Sequence, residues 1–192
     1  MELPDPDQMI AFATPQDLRD WLATHGATAT MLWVRIHKLG SGVPSVTWED
    51  CVLACLSHGW IDGIRKSLGS DAYLQRLTPR RPKSGWSKRN RDHVDRLVAA
   101  GLMTPAGQAH VDAARADGRW DAAYSGSALS EVPADFLALL DQNPAAKATY
   151  ATLNKQNLFA IYIRLHSARS ADTRARRMAT LLATLQRGER FY

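Results

Sequence analysis

Apolar residues along the 192-residue chain recur mostly at spacings of three and four, with two short stretches of strict alternation. Helices should therefore dominate, with a few strands between them. Thr14 can cap the first helix, Pro15 suits its first position, and Asp17 sits where a carboxylate favours free amides. Leu18, Trp21 and Leu22 form its apolar stripe and Gly26 its stop. The segment 31–38, MLWVRIHK, predicts a strand with Leu32, Val34 and Ile36 on one face and Trp33, Arg35 and His37 on the other. LGSGVP turns the chain. Thr47 then caps a second helix carrying Trp48, Cys51, Val52, Cys55 and Leu56 on one side, with Gly59 as its end.

WIDGIRKSL and AYLQRLT, joined by a GSD turn, predict a β-hairpin. KRNRDHVDRLVAAG predicts a helix with Val94, Leu97 and Val98 inward, and Thr104-Pro105 opens another that ends near Asp117-Gly118. Past Ser125, in the turn-like run SGSALS, the pattern is wholly helical. Short helices are expected near 133–141 and 144–153 and a longer one near 155–168. The last, about 171–187, carries Met178, Leu181, Leu182 and Leu185 as its stripe and Gly188 as its stop. The class is α+β: a small antiparallel sheet of about three strands, including the hairpin, packed with helices and followed by a C-terminal helical subdomain. The expected division is 1–125 and 126–192.

Hydrophobic residues at 45% and charged residues at 22% are ordinary for a globular protein, so disorder is not the reading. Cys51 and Cys55, four apart on one helix, are poorly placed for a disulfide. With His58 they share a helical face, but a zinc site needs a fourth ligand and no second Cys/His cluster offers one. Buried thiols are the preferred reading, and no metal or cofactor is expected. The start, MELPDPDQMIAF, is acidic and proline-broken, unlike a signal peptide, and no apolar run has the length of a membrane span. A cytoplasmic location is expected. The chain has no P-loop, GxSxG, HExxH or GxGxxG, and its six histidines are scattered, which points away from the familiar catalytic frameworks.

The net charge of +5 is unevenly distributed: −4 over residues 1–60, +7 over 61–91, −4 over 92–150 and +6 over 151–192. Such blocks either steer an anionic partner or pair with each other in the fold. The stretch TPRRPKSGWSKRN, 78–90, gathers five cations around Trp86 without one acid. Arg80 and Arg81 present forks that grip phosphate or carboxylate, Ser84 and Ser87 stand at a helix start, and Trp86 can stack on a ring or a guanidinium. The competing reading pairs these arginines with carboxylates such as Asp62 and makes Trp86 a core anchor. Asp62 lies early in a strand between apolar neighbours, where an ion pair or a site role accounts for it. The last helix, with Arg174, Arg176, Arg177 and Arg187 beside its leucines, could meet an acidic protein or a membrane surface. The preferred reading is a packed stripe with solvated charges. No nucleic-acid module is present, so base readout is not expected.

Taken in order, FATPQDLRDWL, LWVRIHKLGSG, GWIDG, YLQRLTPRRPKSGWSKRN, GLMTPAGQA and DGRW resemble the bacterial YdeI/OmpD-associated family. NPAAKATYATL and SARSADTRARRMATLLATLQRGER resemble its C-terminal OmdA-type helical region. The resemblance places Gly59, Trp60, Asp62, Gly63, Arg80, Arg81, Trp86, Ser87, Lys88 and Asn90 at motif positions, and implies a role in stress or antimicrobial resistance (bacteriocin protection). Two departures stand out: Ser57-His58, where relatives often carry Cys and an aromatic, and LNKQNLFAIYIRL, where they often carry a more polar helix.

The resulting expectation is a binding protein with an anion-accepting pocket formed by Trp60, Asp62, Arg80, Arg81, Trp86, Ser87, Lys88 and Asn90. Asp62 would orient an arginine and Trp86 would form a wall. An enzyme using Asp62 as acid or base with arginine stabilisation is the alternative. A weak module for nucleic acid or an acidic partner is a third reading.

Overall fold

The computed structural model describes residues 4–5, 8–126 and 131–192. Most of the SGSALS run therefore lies outside the described residues. The chain packs as two compact units. The first is Met1–Trp86 with Asn90–Ala122, and the second is Ser87–Arg89 with Ala123–Tyr192.

The first unit carries a four-stranded sheet in the order β1-β2-β4-β3, formed by β1 (Met9–Ala11), β2 (Leu32–His37), β3 (Trp60–Ser67) and β4 (Ala72–Pro79). The class is α+β as expected, but the sheet is mixed rather than antiparallel. β1 joins β2 in parallel, with Ile10 opposite Val34. Three residues are too few to show a period, which is why this strand leaves no alternation to read. β2 pairs antiparallel with β4, and β3 with β4.

Local chemistry explains the helices. In α1 (Pro15–His25) the Thr14 hydroxyl accepts from the Asp17 amide while Asp17 accepts from the Thr14 amide. In α2 (Trp48–Ser57) Thr47 and Asp50 do the same. Each pair satisfies two amides that the first turn leaves open. α3 (Lys88–Ala99) buries His93, Val94 and Leu97. Val98, expected inward, is 51% exposed, because a residue directly after Leu97 is turned about 100° from it.

Leu18 and Leu22 of α1, Cys51, Ala54 and Cys55 of α2, and Leu32, Val34, Ile36, Trp60 and Leu77 of the sheet form one core. Trp33, on the other face of β2, is buried as well, with the Lys66 ammonium 5.1 Å from its ring centre. Burial pushes the Cys51 thiol up to about 12, assisted by the Asp50 and Asp62 carboxylates; burial also raises that of Cys55. Both cysteines are free. Neither thiol should react with a disulfide reagent at pH 8 in the native protein, and both should react in denaturant. The unfolded chain loses these protons above the ordinary value of 9.0 while the folded chain keeps them. Stability should therefore fall as pH rises past that value, by up to about 1.4 kcal/mol per pH unit for each thiol. Urea melts between pH 8 and 10 would reveal the trend.

α4 (Pro105–Ala116) starts at Thr104, whose amide and hydroxyl both donate to the Ser57 carbonyl, at 3.1 and 2.6 Å. The C-terminus of α2 thus receives donors from the cap of α4.

The second unit contains α5 (Ala134–Asp141), α6 (Pro144–Tyr150), α7 (Lys155–His166) and α8 (Ala171–Gln186). Phe136, Leu140, Ala146, Ile161, Leu165, Leu181 and Leu185 are its buried core, with Met178 and Leu182 packed against it. The arginines of α8 are largely committed within the unit. Arg174 Nη2 donates to both Asp135 oxygens at 2.7 Å, a bond that holds the Asp135 carboxyl below its ordinary value. Arg177 donates to the Arg164 carbonyl at 2.6 Å.

Candidate functional site

The two sequence motifs meet. Trp60 pairs with Pro79 in the β3–β4 ladder, and the Arg80 amide donates to the Gly59 carbonyl at 2.9 Å. Gly59 has φ +75°, and a Cβ there would stand 2.8 Å from His110 Cδ2, so the turn into β3 requires glycine. Trp60 is buried and donates through its indole to the Gly26 carbonyl at 3.1 Å.

Beyond Arg80 the basic loop is clamped from inside. Arg80 is 4% exposed. Its Nη2 donates to the Gly85 carbonyl at 2.6 Å, and its guanidinium lies 3.7 Å from the centre of the Trp86 ring. Trp86, 2% exposed, meets Trp120 edge-on at 5.0 Å, and Arg91 and Arg115 lie over the Trp120 ring at 5.4 and 5.0 Å. Arg119 is also buried. It pairs with Asp117 at 2.7 Å and donates to the Ser84 carbonyl at 2.9 Å. Two buried arginines thus hold consecutive carbonyls of one loop, with charge-assisted bonds stronger than neutral ones. Arg81 and Lys83 are left exposed on its outer side. His110, partly buried beside Gly59, has its imidazole pKa lowered by burial and then by the positive fields of Arg80 and Arg119.

The remaining predicted residues lie elsewhere. Ser87 is buried and bridges Tyr124, and the Lys88 amide donates to the Tyr124 carbonyl at 2.9 Å; both belong to the second unit. The Lys88 side chain is exposed, and Asn90 is partly buried in the first turn of α3.

Asp62 takes a different partner from the one expected. On the core face of β3 with Trp60, it accepts from Trp48 Nε1 at 3.0 Å. Its charge also contributes, after burial, to raising both thiols of α2. Immediately after it the ladder slips, with Gly63 and Ile64 set against Arg76 alone. This bulge is held by Gln75, whose amide donates to the Gly63 carbonyl at 2.9 Å.

Trp48, braced by Asp62, is 36% exposed and walls an open cleft of about 490 Å³ that also includes Ile36, Val43, Pro44 and Tyr73. Lys38 and Tyr73 are shared with a second cleft of about 320 Å³, which Arg65 and Ser67 complete. The two clefts form a groove on either side of Tyr73. Its wall toward Trp48 is apolar, its other end is cationic, and among the described residues none that lines it is acidic. Arg65 lies 5.1 Å from the Tyr73 ring centre. Burial raises the Tyr73 phenol pKa, Cys51 adds to the rise and Arg65 opposes it.

Sequence reasoning did not single out Arg119, Trp120, His110, Gln75 or the Lys38–Tyr73–Arg65 grouping. Arg119 and Trp120 were visible as the DGRW motif, but Ser84 and Trp86, the loop residues they hold, lie more than thirty residues away. The groove has no motif, because its residues come from the connection after β2, three strands (β2, β3 and β4) and the first residue of α2.

Residues 130–188 match the family model described as bacteriocin-protection, YdeI or OmpD-associated (OmdA). This bears out the resemblance read from the chain's ending. Residues 10–110 match a second model, a domain of unknown function (DUF8412). That span exceeds half of the chain, so the protein belongs to this family and carries an OmdA domain in its C-terminal part. No curated protein and no solved structure matches the chain. No helix among the described residues is long and apolar enough to cross a membrane.

Proposed function

We propose that this chain is a ligand-binding protein rather than a catalyst, and that its N-terminal unit takes up a small anion with an apolar body in the groove around Tyr73. The observation that carries the reading is the arrangement of that groove. Exposed Trp48, Val43 and Leu39 adjoin Lys38 and Arg65, with no carboxylate among the described lining residues. An apolar wall ending in two cations suits a ligand that is greasy at one end and negative at the other. Asp62 serves this site by bracing Trp48 rather than by proton transfer, which is our reason for setting the enzyme reading aside. The setting we infer is a bacterial cytoplasm, with a part in stress or antimicrobial resistance.

A second reading keeps the anion at the basic loop. It is supported by the lowered pKa of His110, whose causes include Arg80 and Arg119, and by exposed Arg81 and Lys83. One experiment separates the two. Calorimetric titration with naphthalene-2-sulfonate should show saturable binding that Lys38→Ala/Arg65→Ala weakens about tenfold or more, the loss of one charge-assisted contact being worth at least that. Arg81→Ala/Lys83→Ala should leave it unchanged. Binding that survives the first pair and disappears with the second would move the site to the loop. Absence of binding to the wild type would reject the groove.

A further inference from the structure

A second cationic feature lies wholly within the C-terminal unit. α7 turns Ile161 and Leu165 into the helical core. Arg164 points along another face, its guanidinium 4.8 Å from the centre of the Phe191 ring. Its Nη1 is buried and has no acceptor among the described residues. Two clefts open on this one side chain. One, of about 380 Å³, is walled by Phe159, Ala160, Ile163 and Tyr192. The other, of about 230 Å³, is walled by Leu181, Phe191 and two threonines, with Arg177 at its edge. Among the described residues, no Asp or Glu side chain lines either cleft. Arg177 is engaged through Nη1 with the Arg164 carbonyl and Ser167 Oγ, at 2.6 and 2.8 Å.

The tail that supplies two of the walls is held in place. Asn157 is buried, and its Oδ1 accepts from the Phe191 and Tyr192 amides at 2.8 and 3.2 Å. Asn154 in turn accepts from Asn157 Nδ2 at 2.7 Å, which fixes the amide's orientation. The clefts therefore have built walls on both sides of the arginine.

We propose that this unit contains a binding site, separate from the groove around Tyr73, for a monocarboxylate with an apolar tail. The carboxylate meets Arg164 and the tail lies along Phe159, Ile163 and Tyr192. The Arg164 guanidinium is common to both clefts, and the planar fork of N–H donors that such a group presents grips a carboxylate. One such cation among apolar walls selects a single negative charge on an apolar body over a multiply charged phosphate.

The test uses the full chain labelled with ¹⁵N and three probes: octanoate, acetate and 1-octanol. Octanoate should shift the amides of residues 156–164 and 191–192 saturably. Acetate, which lacks the tail, and octanol, which lacks the charge, should each bind at least about tenfold more weakly. Arg164→Met should weaken octanoate by about tenfold or more. Gln156→Glu places a repelling carboxylate at the exposed rim, where the fold is not at stake, and should weaken octanoate severalfold. The proposal is overturned if octanol binds as well as octanoate, or if acetate does. It is equally overturned if Gln156→Glu leaves the affinity unchanged, or if octanoate shifts none of these amides at about 10 mM.

Discussion

Gly107→Ala should destabilise the N-terminal unit by about 3 kcal/mol or more, the upper range for forcing volume into a packed interior. Gly107 lies in the first turn of α4, and a Cβ built there would stand 2.3 Å from the Ser57 carbonyl oxygen and 2.6 Å from that of Leu56. These are backbone atoms at the end of α2, and the Ser57 carbonyl already accepts from the Thr104 amide and hydroxyl. A methyl group cannot be accommodated by moving a side chain. α4 must withdraw, and the cap that completes α2 withdraws with it. Gly118→Ala is the control: its φ is +75° but nothing lies within 4 Å of a Cβ, so it should cost only about 1–2 kcal/mol. Urea unfolding of both variants measures the difference, and equal losses would show that the α2–α4 approach is not tight.

Trp86→Ala should cost about 3–5 kcal/mol, as removal of a fully buried aromatic does, with a further loss because Arg80 no longer has a π face beneath it. Trp86→Phe should cost much less. The Trp86 Nε1 has no acceptor among the described residues, so phenylalanine gives up area but no hydrogen bond. This ordering separates an anchor of the loop from a wall of a ligand site. In the first case stability follows ring size, and titration of the groove with naphthalene-2-sulfonate is unchanged in the Phe variant. In the second case the Phe variant binds differently while unfolding almost as the wild type does. The clamp geometry, with Arg80 and Arg119 on adjacent carbonyls, leads us to expect the first.

Much of the fold was legible along the chain because its signals are local. Both capping boxes, the glycine at the end of α1, the hairpin and the apolar stripe of α8 depend on residues within a few positions of one another, where hydrophobic period and cap chemistry act directly. The OmdA resemblance of the ending was legible for the same reason, since the C-terminal run is a contiguous string. GWIDG and TPRRPKSGWSKRN, by contrast, fall in the span that matches the domain of unknown function. The proximity of these two motifs was foreseeable too, because consecutive strands of a hairpin must pair.

What each charged or aromatic side chain does was not legible, because partners are chosen by tertiary packing. Asp62 appeared suited to an arginine of the next segment, yet strand parity turns it toward the first residue of α2, where Trp48 donates to it. The basic loop appeared as an open cationic surface, yet Arg80 is drawn inward by a carbonyl and an indole ring, while Arg81, its neighbour, remains outside. The sequence by itself determined most of the elements, their caps and the OmdA resemblance of the chain's ending, through interactions spanning a few residues. Only the tertiary structure decided which cations are buried supports and which face a cleft, because burial and hydrogen-bond partners depend on side chains that lie far apart along the chain.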